Sequence, residues 1–215
     1  MGQKIHPQLF RLGTSAKWQS RWFDTRKYAK WLVEDYQIRK LAFAKFKKAA
    51  IADVEIERFA NATTVTIHSS RPGVIIGRGG AGVETFKKEV VKLTKTTVEV
   101  NIQEVRNPES NAAIVATNIA EQIERRIPFR RVIKQAVDAA KQARVQGVRI
   151  VVAGRLNGAE IARTEMLSFG KVPLHTIKQP IEYAFRVAYT TYGTIGIKVW
   201  ILNQESTATD QPTNG

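Results

Sequence analysis

The sequence has 215 residues, with 34 Lys and Arg against 19 Asp and Glu, a formal net charge of +15 and a pI near 10.2. That excess points to a polyanionic partner, while 43% apolar and 25% charged residues are ordinary proportions for a globular chain. Cysteine is absent, which excludes disulfides, thiolate catalysis and cysteine metal sites.

No apolar run is long enough to span a bilayer, and the opening MGQKIHPQLFRLG has no apolar core of secretory length. A soluble chain is expected, and its length suits two small domains. The charge is unevenly spread: +9 over residues 1–50, −2 over 51–124, +7 over 125–149 and +1 over 150–215. Two basic zones therefore flank a nearly neutral middle.

Residues 1–24 mix Lys4, Arg11, Lys17 and Arg21 with Trp18, Trp22 and Phe23 and show no sustained period. The reading is an extended basic arm that orders on a partner, its cations suited to phosphate. Its Trp residues suit either base stacking or core anchoring. From Thr25 to Ala50, Tyr28, Trp31, Leu32, Ile38, Leu41, Ala42 and Phe46 recur on roughly one helical face, with a possible break at Asp35 to Gln37. Then Ala52, Val54 and Ile56 alternate with Asp53, Glu55 and Glu57, and Val65 and Ile67 follow a turn at Asn61, which predicts a β-hairpin.

The next stretch, RPGVIIGRGGAGVE, contains GRGGAG, which matches G-x-G-x-x-G at Gly77, Gly79 and Gly82, and Glu99 stands about twenty residues on, where a ribose-binding acid would be. A nicotinamide oxidoreductase is thus a remote alternative. Its fold needs a buried parallel strand just before the first glycine, but only Val74, Ile75 and Ile76 separate Gly77 from the break at Arg71 to Gly73. Three residues make a poor central strand and a good turn of helix. No Gly-Lys-Ser/Thr follows, so a Walker loop is absent as well.

The same letters resemble the GXXG loop of KH domains, with an apolar helical turn, Gly77, the linkers Arg78 and Gly79, and Gly80 opening the next helix. Glycines at both ends let a nucleic-acid backbone approach, and a helix N-terminus offers free N–H groups. In that family the loop clamps about four nucleotides. Val83, Phe86, Val90 and Leu93 then repeat at helical spacing, and Val98, Val100 and Ile102 alternate as a third strand. The order helix, strand, strand, short helix, helix, strand over residues 25–106 is that of the type II KH fold.

Asn107 before Pro108 reads as a helix cap and opens a second domain, expected over residues 107–204. Two helices are predicted, one through Ala112, Val115, Ile119 and Ile123, the other restarted at Pro128. Gly147 stops the second. Four strands follow: Val148 to Gly154, Thr164 to Phe169, Ile181 to Tyr189 and Ile195 to Leu202. The end from Glu205 is polar and is expected to be disordered over 205–215. The class is therefore α+β, with a type II KH domain followed by two helices and a four-stranded, mainly antiparallel sheet.

A neutral KH module cannot supply the long-range attraction, so the main phosphate grip is assigned to the +7 zone. Arg130, Arg131, Lys134 and Lys141 fall on the face of the second helix away from Phe129, Ile133 and Val137, and Arg125 and Arg126 precede Pro128. Asp138 is the only acid in residues 125–149, whereas a face kept only for solubility mixes signs. Nothing comparable supports catalysis. His6, His68 and His175 are scattered and HExxH is absent, so no metal, cofactor or active site is expected.

MGQKIHP, RPGVIIGRGG, EVRNPE, ERRIPFRR, GRLNGAEIART, VPLHT and TTYGTIGIKVWI run in order along nearly the whole chain. Together they resemble the family of the third protein of the small ribosomal subunit, in its bacterial or organellar form. The resemblance implies a protein of the subunit head, ribosome-bound in the cytoplasm or an organelle, that binds 16S-type rRNA beside ribosomal proteins ten and fourteen. It also implies a place near proteins four and five, on the channel by which mRNA enters, with Arg130, Arg131 and Lys134 facing that channel. Relatives often carry two basic residues between the loop glycines, where this chain has Arg78 and Gly79, and their long basic tail is missing here. A free KH-type RNA regulator is the alternative reading.

Overall fold

The computed structural model describes residues 4–59 and 62–203. The turn expected at Asn61 and the tail expected over 205–215 lie outside them. The chain opens with a four-residue helix, α1 (Pro7–Phe10), and a two-residue strand, β1 (Ser20–Arg21). It continues through α2 (Tyr28–Lys45), β2 (Ile51–Arg58), β3 (Ala62–Ser69), α3 (Pro72–Ile76), α4 (Ala81–Thr94) and β4 (Thr97–Glu104). Then come α5 (Ala112–Glu124), α6 (Phe129–Gln142), β5 (Gly147–Gly154), β6 (Arg163–Gly170), β7 (Ile181–Thr190) and β8 (Gly193–Leu202). The α+β class and the KH order of helices and strands are as expected.

Two compact units divide the chain: Trp18 to Asn118 form one, and the residues up to Lys17 join those from Ile119 onward in the other. The division falls inside α5 rather than at Asn107. Asn107 and Pro108 open only a 3-10 turn, and α5 is capped by Asn111, whose Oδ1 accepts the N–H groups of Ala113 at 3.0 Å and Ile114 at 3.2 Å.

In the KH unit the sheet order is β1-β2-β3-β4, with β1–β2 and β3–β4 parallel and β2–β3 antiparallel. Register pairs Ile56 with Val65 and Val65 with Val100, so Val54, Ile56, Val65, Ile67 and Val98 share one face. That face forms a core with Ile38 and Ala42 of α2, Ile75 of α3, and Phe86 and Val90 of α4. Alternation also puts Arg58 on this face, and its guanidinium is buried. Helix α2 answers with two buried carboxylates. Asp35 Oδ1 accepts Arg58 Nε at 2.9 Å and Nη2 at 2.6 Å, and Glu34 Oε2 accepts Nη1 at 2.8 Å.

This corrects the expected face of α2. The helix is unbroken at Asp35, and its inward residues are Glu34, Asp35, Ile38 and Ala42, while Tyr28 and Leu32 are exposed. Two acids at inward positions disguised the period, because an ion pair made their burial tolerable.

In the other unit all sheet neighbours are antiparallel, in the order β6-β5-β8-β7. Val148, Ile150 and Val152 lie opposite Ile201, Val199 and Ile197, and α6 packs on this side through buried Phe129, Val132, Ile133, Val137 and Ala140. On β7 the alternating large residues Tyr183, Phe185 and Tyr189 point to the opposite face, and small Ala184 and Ala188 are the buried ones. The opposite face is partly covered by the N-terminal segment. Helix α1 lies against β7, and the His6 ring meets Tyr183 edge-on at 4.8 Å.

Candidate nucleic-acid interface

Arg11 is a clear correction. Read as an RNA contact of a free arm, it is only 1% exposed. Its Nε donates to the Gln179 carbonyl at 2.8 Å, Nη1 to Pro7 at 2.9 Å, and Nη2 to Pro173, Leu174 and Thr176 at 3.3, 3.1 and 2.9 Å. A guanidinium so enclosed has no face left for a phosphate. The arm is also not one site, since Lys4, Arg11 and Lys17 belong to one unit and Arg21 to the other. Lys4 and Lys17 are exposed. Arg21 on β1 pairs with Glu57 at 2.9 Å and Glu55 at 3.5 Å, so its charge is already answered.

The glycine loop is a turn between two helices. Gly77 has φ 69 and ψ −173, a conformation that side chains oppose, and Arg78 to Gly80 form a 3-10 turn with Arg78 exposed at the tip. Gly80 then leads into α4. The loop follows α3 rather than a strand, and Glu99 sits on β4 opposite Thr64, exposed on the outer face. The setting of the dinucleotide fingerprint is therefore missing.

Close approach of α3 and α4 explains a further glycine. A Cβ on Gly82 would run into the Ile75 carbonyl oxygen. Gly82→Ala is expected to destabilise the KH unit by about 2 kcal/mol, although alanine is the better helix former by about 1 kcal/mol. Thermal unfolding checks this, and a variant as stable as the parent would contradict the packing.

On α6 the predicted face is well formed. Arg130, Arg131, Lys134 and Lys141 are all exposed, on the side away from the buried apolar residues. Arg130 lies 3.8 Å from Glu165, and Lys141 lies 3.2 Å from Asp138 with its Nζ 4.8 Å from the centre of the Phe169 ring. Arg131 and Lys134 have no ion-pair partner among the described residues. Arg125 reaches Glu121 only at 3.9 Å, and Arg126, at φ 62, is exposed where α5 ends. Loop and helix cluster belong to different units.

The structure adds Arg163. Register places Arg163, Glu165, Leu167 and Phe169 on the α6 side of the sheet, and Arg163 lies 3.8 Å from Glu165 and 5.7 Å from the Phe129 ring. Between α6 and β6 runs a groove of about 360 Å³ lined by Phe129, Arg130, Lys134, Asp138, Lys141 and Glu165. Its rim is mixed, with Lys134 the cation that no carboxylate answers among the described residues. No sequence spacing marked Arg163, because it reaches α6 only through strand pairing.

Of the histidines, His6 is against Tyr183, where burial pushes its pKa below the ordinary value, and His68 is 3.6 Å from Glu55. Among the described residues no cluster of His, Asp or Glu fit for a metal occurs, and no helix is long and apolar enough to cross a membrane.

Two family profiles and several curated relatives match the chain. The profile of the ribosomal protein S3 C-terminal domain matches residues 119–201, and a KH domain profile matches residues 37–110. The small ribosomal subunit protein uS3 of Syntrophomonas wolfei is 51% identical over 201 residues, covering 94% of this chain and 88% of that one. Those of Desulforamulus reducens and Myxococcus xanthus are 50% and 49% identical, each over 95% of this chain and 93% of their own.

Proposed function

The chain belongs to the uS3 family of small ribosomal subunit proteins, and from that premise we propose that α6 is its principal RNA grip and faces the mRNA on its way into the ribosome. The protein itself is a structural, ribosome-bound and rRNA-binding component of the small subunit, not an enzyme. Its neighbours in this reading are ribosomal proteins ten and fourteen in the subunit head, with four and five nearby on the channel. The host is a bacterial ribosome like those of the relatives.

The observation that carries the α6 assignment is the pair of unanswered cations on its exposed face. Arg131 and Lys134 have no carboxylate to neutralise them among the described residues, Arg130 is only loosely engaged with Glu165 at 3.8 Å, and Lys141 is held by Asp138. The KH loop plays a lesser part, since Gly79 occupies a linker position that a second cation would otherwise charge.

Sedimentation of native extract on a sucrose gradient at low magnesium tests the ribosomal assignment. The chain should appear stoichiometrically in the small-subunit peak, and its presence in light fractions alone would instead mark a free RNA-binding regulator. For the grip, a double variant, Arg131→Ala with Lys134→Ala, should flatten the log–log salt dependence of RNA binding by about two units, one per lost phosphate contact. An unchanged slope would move the grip elsewhere.

A further inference from the structure

The motifs GRLNG and TTYG have no role in the surface described above, yet the fold brings them together. The 3-10 turn Leu156–Gly158 and the β7–β8 hairpin meet beside the α5–α6 connection, enclosing an open cleft of about 320 Å³. We infer that this cleft is a second RNA site, holding an unpaired nucleotide with its base on the Tyr192 ring and its phosphate on Arg126 and Arg155. The inference rests on the RNA-binding reading of the family but, apart from Arg126 of the basic zone, concerns residues that reading does not use.

An exposed ring is the first argument. Tyr192 is 57% exposed, an unusual exposure for an aromatic side chain on so rigid a frame. Its ring lies so close to Gly158 that a Cβ there would meet it at 3.0 Å, which fixes the ring's position. The hairpin that carries it is tied down, the Tyr189 N–H donating to Glu124 Oε1 at 3.1 Å and Thr190 Oγ1 to the Gly193 carbonyl at 2.7 Å. A ring held this way stacks on a base with little loss of freedom.

Charge is the second argument. Arg155 ties the two motifs together, Nε donating to the Ala159 carbonyl at 2.9 Å and Nη1 to the Tyr192 carbonyl at 3.2 Å, so its cation is presented in a fixed place. Arg126 is an exposed non-glycine residue at φ 62 on the other wall. The one acid in the lining, Glu124, is engaged with the Tyr189 N–H. Cations beside exposed rings are the chemistry that recognises single strands, whose bases are free to stack. Phe129 lines both this cleft and the α6 groove.

The test uses the full chain and fluorescein-labelled octauridylate, read by fluorescence anisotropy. Tyr192→Ala should weaken binding about tenfold, and Tyr192→Phe should change it less than about twofold, because the ring face and not the hydroxyl is used. Arg126→Asn, a residue that tolerates the left-handed conformation, should weaken binding and lower the salt slope by about one unit. Unchanged melting temperatures establish that the variants fold. If Tyr192→Ala and Arg126→Asn bind like the parent while the α6 double variant is impaired, RNA binding stands and this cleft is not part of it. If the parent chain binds no RNA, both readings fall. A 4-thiouridine strand that cross-links to the β7–β8 hairpin supports the site, and cross-links confined to α6 or the glycine loop overturn it.

Discussion

Arg11→Met is expected to destabilise the unit built on β5 to β8 by about 3–5 kcal/mol, one of the largest effects of any single change in the protein. The methionine fills much of the same volume but donates nothing. Five carbonyl oxygens, those of Pro7, Pro173, Leu174, Thr176 and Gln179, then lose their shared donor in a closed site. Lysine would keep the charge without the planar fork, so Arg11→Lys should recover less than about half of the loss. Lys17→Met, an exposed position in the same segment, should fall within about 0.5 kcal/mol of the parent. Urea unfolding with an unchanged m-value measures all three. A loss below about 1 kcal/mol for Arg11→Met would mean that the carbonyls find water instead.

Asp35→Ala should destabilise the KH unit by a similar 3–5 kcal/mol or so. This carboxylate is nearly fully buried and accepts four donors, Nε and Nη2 of Arg58 on Oδ1, and Ser20 Oγ at 2.8 Å and Trp22 Nε1 at 2.7 Å on Oδ2. Without it the Arg58 guanidinium keeps only Glu34 and the face of Trp31, 5.4 Å away. The penalty is that of stranding a buried cation. A triple variant, Glu34→Leu, Asp35→Leu and Arg58→Met, should therefore be much closer to the parent than Asp35→Ala alone, because no charge is left uncompensated. Since Ser20 begins the short strand β1 and Trp22 follows it, Asp35→Ala should also loosen that strand and shift tryptophan emission to the red. A triple variant as unstable as the single one would show that the cluster contributes through its hydrogen bonds rather than by cancelling charge.

Arg11 was misread from the sequence and Arg58 left unread, for one physical reason. Arg11 and Arg58 look like the surface cations around them, and their partners are distant in the chain: carbonyls at 173–179 for one, carboxylates at 34 and 35 for the other. Basic residues are judged exposed unless a partner is visible, and these partners appear only after folding. The same blindness made Asp35 look like a helix break. By contrast, Arg131 and Lys134 were legible because the apolar repeat of α6 fixes which face is buried and leaves them on the other.

What the sequence determined by itself is the set of properties that follow from local period and covalent order. These are the α+β class, the KH succession of helices and strands, the antiparallel four-strand unit, the basic face of α6 and, through its motifs, the family. Each depends on residues within a turn or a strand of one another, where backbone geometry alone decides which side chains share a face. Only the tertiary structure decided that the basic arm is divided between two units, that Arg11 is an internal clamp, that Arg163 joins α6, and that GRLNG and TTYG wall one cleft. Those facts depend on strand register and on which carbonyls and carboxylates meet a guanidinium, and such pairings between distant segments are settled by the packing of the whole chain.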